Sequence, residues 1–254
     1  MSDNGFIRYE GVEKAFGDQA VLRGVDLTIQ AGETIVILGG SGTGKSVLIK
    51  HTIGLLRPDA GRVWVEDEEV FSLDEAALRQ VRKKVAMVFQ AGALFDSMDV
   101  LGNVSYALRE HTDMTEDQIR ERVAEVLAQV EMPGVEEVMP VDLSGGMRKR
   151  VALARAIALA PRALLYDEPT TGLDPLTATA INQLILSMQR RLKVTSIVVT
   201  HDILSARMVA DRIAWLRDGR MAFVGTLAEA ARSPHEELHR FLEAGGGIGE
   251  SRRI

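Results

Sequence analysis

Gly39-Gly40-Ser41-Gly42-Thr43-Gly44-Lys45-Ser46 is the stretch on which the reading of the whole chain turns. The apolar run Ile35-Val36-Ile37-Leu38 precedes it, and Val47-Leu48-Ile49-Lys50 follows in a helix-compatible pattern. Strand, glycine-rich turn and helix form the context in which G-x-x-x-x-G-K-[ST] is a phosphate site. Glycines carry no Cβ, so the backbone can wrap closely and point its N–H groups inward. The helix expected to open near Gly44 adds the positive end of its dipole. Lys45 offers a point charge to the β- and γ-phosphates, and the Ser46 hydroxyl can bind Mg2+. The bland alternative is a glycine-rich turn with a stray lysine; the register of strand, Lys-Ser pair and helix argues against it.

Bulk composition narrows the class. The 254 residues suit one large α/β domain or two small ones. Hydrophobic content of 46% and charged content of 26% are ordinary for a globular chain. The net charge of −6 provides no global field for nucleic acid or anionic lipid. With no cysteine there are no disulfides and no Cys-based zinc sites, which fits a reducing compartment. The polar opening Met1-Ser2-Asp3-Asn4-Gly5 predicts no signal peptide. Apolar stretches such as 151–165 carry Arg155, Pro161 and Arg162 and cannot span a bilayer. A membrane role would therefore run through a partner.

Along the chain, Ile7-Arg8-Tyr9 and Val25 to Ile29 read as strands around a turn at Phe16-Gly17-Asp18-Gln19. Thr34 to Leu38 is the strand entering the glycine loop, and its helix is expected to run to about Leu56, before Pro58. Arg62 to Val65 and Glu69-Val70-Phe71 should pair with the first strands as an antiparallel layer. Leu73 to Val81 reads as a short helix capped by Ser72 or Asp74, and Val85 to Phe89 as a buried strand ending at Gln90. Residues 91–160 turn helical, with Val100 to Arg109, Thr115 to Val130 and Gly145 to Ala160 as helices. Thr115-Glu116-Asp117-Gln118 has capping-box form. Ala163 to Tyr166, Thr195 to Thr200, Arg212 to Leu216 and Met221 to Val224 are the later strands. Between them, Pro175 to Leu192 is an amphipathic helix with Leu176, Ile181, Leu184, Ile185 and Met188 on one side. Strands alternating with helices imply a mostly parallel sheet, interrupted by an inserted helical subdomain.

The glycine loop needs a carboxylate to hold a metal. Leu164-Leu165-Tyr166-Asp167-Glu168 is an apolar strand ending in two acids: Asp167 is placed for the Mg2+ shell, and Glu168 points elsewhere and suits a general base. Two adjacent acids in an apolar core would be costly without such a role. Gln90 and His201 follow strands, at the ends where ligands gather in α/β sheets. Gln90 could reach metal and water, and His201 a γ-phosphate oxygen; alone, each would be an ordinary polar loop residue. Leu143-Ser144-Gly145-Gly146-Met147 opens a helix with Ser144 as cap, a second anion site or simply a capped helix. His235-Glu236-Glu237-Leu238-His239 matches the zincin H-E-x-x-H. No third ligand is evident, and an acidic solvated helix burying Leu238, Phe241 and Leu242 is the better reading. Asn103-Val104-Ser105 matches a glycosylation sequon without meaning in a cytosolic chain. Arg148-Lys149-Arg150 reads as a solvated basic face.

Taken together, these motifs resemble those of the ATP-binding-cassette (ABC) ATPases over nearly the whole length. Gly39 to Ser46 is similar to Walker A, Gln90 to the Q-loop, and Leu143 to Met147 to the signature sequence. Leu164 to Glu168 is similar to Walker B, Gly172-Leu173-Asp174-Pro175 to the D-loop, and His201 to the switch histidine. Phe16 stands where the family stacks an aromatic on adenine. Gly40 stands where many members have proline. The resemblance implies a P-loop NTPase (RecA-like) core at 5–90 and 161–225 with an antiparallel β layer. It further implies an α-helical subdomain at 91–160, C-terminal helices at 226–243 and a flexible tail at 244–254. It implies ATP and Mg2+ as cofactors, with ATP held by Gly39 to Val47 and the metal by Ser46, Gln90 and Asp167. Two copies would pair head to tail, so that Ser144, Gly145 and Gly146 act in trans and Asp174 lies in the D-loop. Glu168 would orient the attacking water, with Lys45 and His201 stabilising charge.

Beyond Gln90 the family meets its membrane partner. Gln90-Ala91-Gly92-Ala93-Leu94-Phe95-Asp96-Ser97-Met98 and Leu108-Arg109-Glu110-His111 resemble the ATPases of Mla/MCE lipid-transport systems of double-membraned bacteria, as do Met139-Pro140 and Phe241-Leu242. Thr170-Thr171-Gly172-Leu173-Asp174 instead follows the general ABC pattern. The resemblance implies phospholipid transport through integral membrane permease subunits and an MCE-domain substrate-binding protein. It places the chain in the cytoplasm, peripheral on the inner face of the inner membrane, with Phe95 and Met98 at the permease and no nucleic-acid partner. A polar-solute importer of amino-acid type is the alternative. A soluble ABC protein of translation or DNA repair is disfavoured by the single cassette and the short interval from Lys45 to Ser144. A regulatory module without turnover is disfavoured by the intact Glu168 and His201.

Overall fold

The computed structural model describes residues 5–244, so the expected tail lies outside the described residues beyond Ala244. In chain order they form β1 (Ile7–Phe16), β2 (Gln19–Ile29), β3 (Thr34–Leu38), α1 (Lys45–Thr52), β4 (Ala60–Val65), β5 (Glu68–Glu69), α2 (Glu75–Lys84), β6 (Val85–Val88), α3 (Val100–His111), α4 (Glu116–Gln129) and α5 (Gly145–Ile157). They continue with β7 (Ala163–Asp167), α6 (Pro175–Leu192), β8 (Thr195–Thr200), α7 (Ile203–Val209), β9 (Arg212–Arg217), β10 (Arg220–Gly225), α8 (Leu227–Ala230) and α9 (Glu236–Ala244). The chain divides into two compact units, one of 1–72 with 197–254 and one of 73–196.

The first unit contains both kinds of sheet. β1 and β2 form the expected hairpin around Gly17-Asp18, with Gly17 at φ +57° supplying the left-handed turn residue. β4 pairs antiparallel on the other side of β1, giving the order β2-β1-β4-β5. The expected third strand stops at Glu69, because Val70–Ser72 coils into a single 3-10 turn closed by the Ser72 hydroxyl on the Glu69 carbonyl. In the second sheet, β3 is buried at every residue and runs parallel to β9, from Ile35 opposite Arg212 to Leu38 opposite Trp215. The order here is β10-β9-β3-β8. Continuous burial explains why β3 reads as an unbroken apolar run rather than an alternating one.

α1 ends at Thr52, short of Leu56. Its last residue is held by the Tyr9 hydroxyl, 2.5 Å from the Thr52 hydroxyl, and Gly54 at φ +65° turns the chain out of the helix. α9 buries Leu238 and Leu242, leaves Phe241 half-buried with its ring 6.5 Å from Trp215, and exposes Glu236 and Glu237. That is the amphipathic reading of the H-E-x-x-H stretch. Among the described residues no group of three His, Cys, Asp or Glu side chains could hold a metal.

In the second unit, β6 and β7 pair in parallel, Val85 opposite Ala163 through Val88 opposite Tyr166. α3, α4 and α5 pack together. Each offers an apolar stripe, such as Val100, Val104 and Leu108 on α3 and Ile119, Val123, Val126 and Leu127 on α4. Full burial of each such side chain contributes roughly 1.5–3 kcal/mol. The capping box predicted at Thr115 is formed in both directions with Gln118. α6 has the predicted bounds and buries Ile181, Leu184, Ile185 and Met188, but Leu176 is 84% exposed. Five residues before Ile181, it is rotated about 140° away from the buried stripe.

Candidate active site

In the first unit, the loop from Gly39 to Gly44 joins β3 to α1 as the sequence required. A Cβ on Gly39 would lie 2.6 Å from the Leu216 carbonyl oxygen of β9. One on Gly44, at φ +100°, would lie 2.8 Å from Val21. Neither position accepts a side chain without moving its neighbours. Lys45 is 5% exposed, and its Nζ donates to the carbonyls of Gly39 and Gly40, both at 2.9 Å, so the ammonium is folded back across the loop mouth. The caps sharpen the contrast with the other helices. α2 through α8 open on Asp74, Asp99, Thr115, Ser144, Asp174, Asp202 and Thr226, each of whose side chains accepts from a first-turn N–H. α1 opens on Gly44, without a side-chain cap and without an acid in its first turn. An external anion is the natural complement of that end.

His201 follows β8 in the same unit and is exposed. Asp202 beside it caps α7 by accepting from Leu204 N at 2.9 Å. Phe16, at the tip of the β1–β2 hairpin, is 49% exposed, with Lys14 Nζ 5.6 Å from its ring centre.

In the second unit, the parallel register of β6 and β7 places Gln90 and the Asp167-Glu168 pair beyond the same ends of neighbouring strands. Asp167 is 6% and Glu168 8% exposed. Glu168 has φ +46°, a left-handed conformation that turns it off the strand line, and its Oε2 accepts from the Thr171 hydroxyl at 3.0 Å. Gln90 is exposed. Ser144 caps α5 by accepting from Met147 N. A Cβ on Gly146 would meet Thr177 at 2.6 Å, and the Thr177 hydroxyl and N–H are both bound by the Asp174 carboxylate. These bonds hold the exposed Asp174 carboxyl below the usual range. Gly146 and Asp174 are thus neighbours through Thr177.

Three residues carry more than the sequence suggested. The basic run is not a solvated face: Lys149 is 8% exposed, its Nζ donating to the Gln90 carbonyl and, at 3.3 Å, to the Glu168 carbonyl. Burial lowers its pKa, against the pull of the Asp167 and Glu168 charges. Arg150 is tied to Val130 O and Glu131, and Arg148 to Leu143 O. Asn103 is fully buried, which itself bars glycosylation; it accepts from Phe95 N at 2.7 Å and donates to the carbonyls of Phe95, Met98 and Asp99. Arg155 donates to the carbonyls of Gly92 and Ala93 and covers the Phe95 ring. Arg155 and Phe95 line a groove of about 580 Å³ with Arg79, Met87, Tyr106 and His111. Phe95 is 43% exposed and stacks obliquely on Tyr106 at 5.2 Å, while Met98 is half-buried.

The family profile described as ABC transporter matches residues 22–171, more than half of the chain. The chain belongs to the ABC transporter family. It is 40% identical over 236 residues to the probable ribonucleotide transport ATP-binding protein mkl of Mycobacterium tuberculosis, covering 93% of this chain and 66% of that relative. It is 36% identical over 227 residues to the intermembrane phospholipid transport system ATP-binding protein MlaF of Escherichia coli K12, covering 89% of this chain and 84% of that one. Among solved structures, a dimeric post-hydrolysis state of the ATP-binding cassette MJ0796 bound to ADP and Pi superposes with a TM-score of 0.80. It shares 34% identity and covers 87% of this chain and 98% of that chain. The expected P-loop NTPase fold is therefore correct, and this ABC cassette is that of an ATP-hydrolysing subunit. Among the described residues no helix is long and apolar enough to cross a membrane.

Proposed function

We propose that this chain is the ATPase subunit of an ABC transporter for lipid, specifically phospholipid. It would work on the inner face of the cell membrane with integral permease subunits and an MCE-domain partner. The observation that carries the nucleotide reading is the uncapped N-terminus of α1 with Lys45 folded over it. Similarity to MlaF supports the cargo. The 40% identity to a ribonucleotide-transport relative keeps a polar-solute importer as the second reading.

Gly39 to Val47 bind the ATP phosphates through backbone N–H groups, and Lys45 swings from the Gly39 and Gly40 carbonyls onto the β- and γ-phosphates. Phe16 stacks on adenine from its exposed hairpin tip. The Ser46 hydroxyl, the Asp167 carboxylate and the Gln90 amide are hard oxygen donors suited to Mg2+, which neutralises phosphate charge when bound. Glu168 takes the proton of the attacking water, and His201 donates to the γ-phosphate oxygens. Ser144, Gly145 and Gly146 complete the site of a second copy, and Asp174 positions them through Thr177. The dimeric MJ0796 neighbour supports that pairing. We place the subdomain borders at 90–91 and 160–161, as the sequence reading does. Phe95 and Met98 receive the permease at the groove.

Purifying the chain with its permease tests the reading. Phospholipid should co-purify, and Phe95→Ala should release the permease while ATP affinity stays at the parent value. A complex that carries a polar solute and no lipid would favour the second reading. Full permease retention in Phe95→Ala would remove the groove from coupling.

A further inference from the structure

Lys149 is the buried charge for which the nucleotide motifs give no role. It lines a small cavity with Val88, Leu153, Tyr166 and Pro169, a setting in which an aliphatic residue would desolvate no ammonium. The ammonium instead reaches two backbone carbonyls, those of Gln90 and Glu168. These belong to the two residues to which the proposed mechanism assigns metal contact and water activation.

We propose that Lys149 is a positioning residue for hydrolysis, its ammonium tying the Gln90 and Glu168 peptides together and both to the signature helix. The inference rests on the reading of Glu168 as the base. Glu168 has a left-handed backbone, which side-chain-bearing residues hold only when their surroundings fix it. It is fixed from both ends: its carbonyl by Lys149 and its carboxylate by the Thr171 hydroxyl. Gln90 lies in the turn after β6 and is exposed, and its carbonyl accepts from Lys149 Nζ. Lys149 sits one turn into α5, whose cap Ser144 and glycines face the second copy in the proposed dimer. A helix transmits displacement as a rigid rod, so engagement of Ser144–Gly146 reaches both peptides through one side chain. Lysine suits the task because it has several donors and no acceptor, and two carbonyls can share one ammonium.

The full chain carrying Lys149→Met keeps the length and loses the donors, whereas Lys149→Arg keeps donors. Steady-state turnover, ATP affinity by calorimetry and the thermal midpoint are measured for both, with Glu168→Gln alongside. The expected result for Lys149→Met is a fall in kcat of about 10- to 100-fold with KM and ATP affinity within about twofold of the parent, and partial recovery in Lys149→Arg. Should Lys149→Met not fold, Lys149→Leu, which also lacks donors, carries the same comparison. A kcat within twofold of the parent overturns the inference, as does a loss that appears equally in ATP affinity. The two readings fail separately. Turnover retained in Glu168→Gln removes the base and this inference with it. A dead Glu168→Gln beside an unaffected Lys149→Met removes only the inference.

Discussion

Glu168 combines burial, a positive φ and a carboxylate that accepts from the Thr171 hydroxyl. A left-handed backbone costs a residue with a Cβ roughly 1–2 kcal/mol. Adjacent acids with different orientations can divide the work between metal and water. Glu168→Gln keeps the shape and the Thr171 bond but cannot take a proton. Turnover should fall at least about 100-fold, while ATP affinity by calorimetry stays near the parent value. The sequence showed this residue because an apolar strand that ends in two acids has few bland explanations. It did not show Lys149 or Asn103. Helical periodicity says which side of α5 a residue is on, but a lysine can reach inward or outward from an intermediate position. A buried asparagine has no pattern of its own; only the three carbonyls it serves reveal it.

The elements were most legible at their starts. Thr115 and Ser144 each cap the helix they were read as opening, and of the two caps offered for α2, Ser72 or Asp74, the aspartate is the one used. Ends were harder. α1 stops where Tyr9 and Gly54 fix Thr52, a tertiary contact that local propensity does not carry. The segment from Phe95 to Asp99 has no regular structure, yet it is held to α3 by four hydrogen bonds to Asn103. Removing them takes the side-chain partner from the Phe95 N–H and the Met98 carbonyl at a partly buried position, while the Phe95 carbonyl keeps Met98 N and the Asp99 carbonyl keeps Asn103 N. Asn103→Ala should cost about 2–3 kcal/mol in urea unfolding and expose the segment to protease. A loss under about 0.5 kcal/mol, the range of a neutral surface change, would mean that Arg155 alone holds the loop.

At the scale of the molecule, the residues to which the proposed function assigns nucleotide roles are Gly39 to Val47 and His201 in the first unit and Gln90, Ser144 to Gly146, Asp167 and Glu168 in the second. The alternation of strands with helices and the ordered motifs made the fold class legible, because each motif sits at a strand end or helix start that its chemistry requires. Sheet order was not legible, since pairing partners are set by packing rather than by local sequence. The central claim is that ATP bound at one Lys45 is enclosed by the signature of a second copy. Sedimentation velocity of the Glu168→Gln chain, with and without Mg-ATP, tests it directly. The account predicts a monomer without nucleotide and a species of twice the chain mass with it, lost again when Lys45→Ala is added. A monomer in saturating Mg-ATP, with ATP binding verified in the same sample, would contradict it.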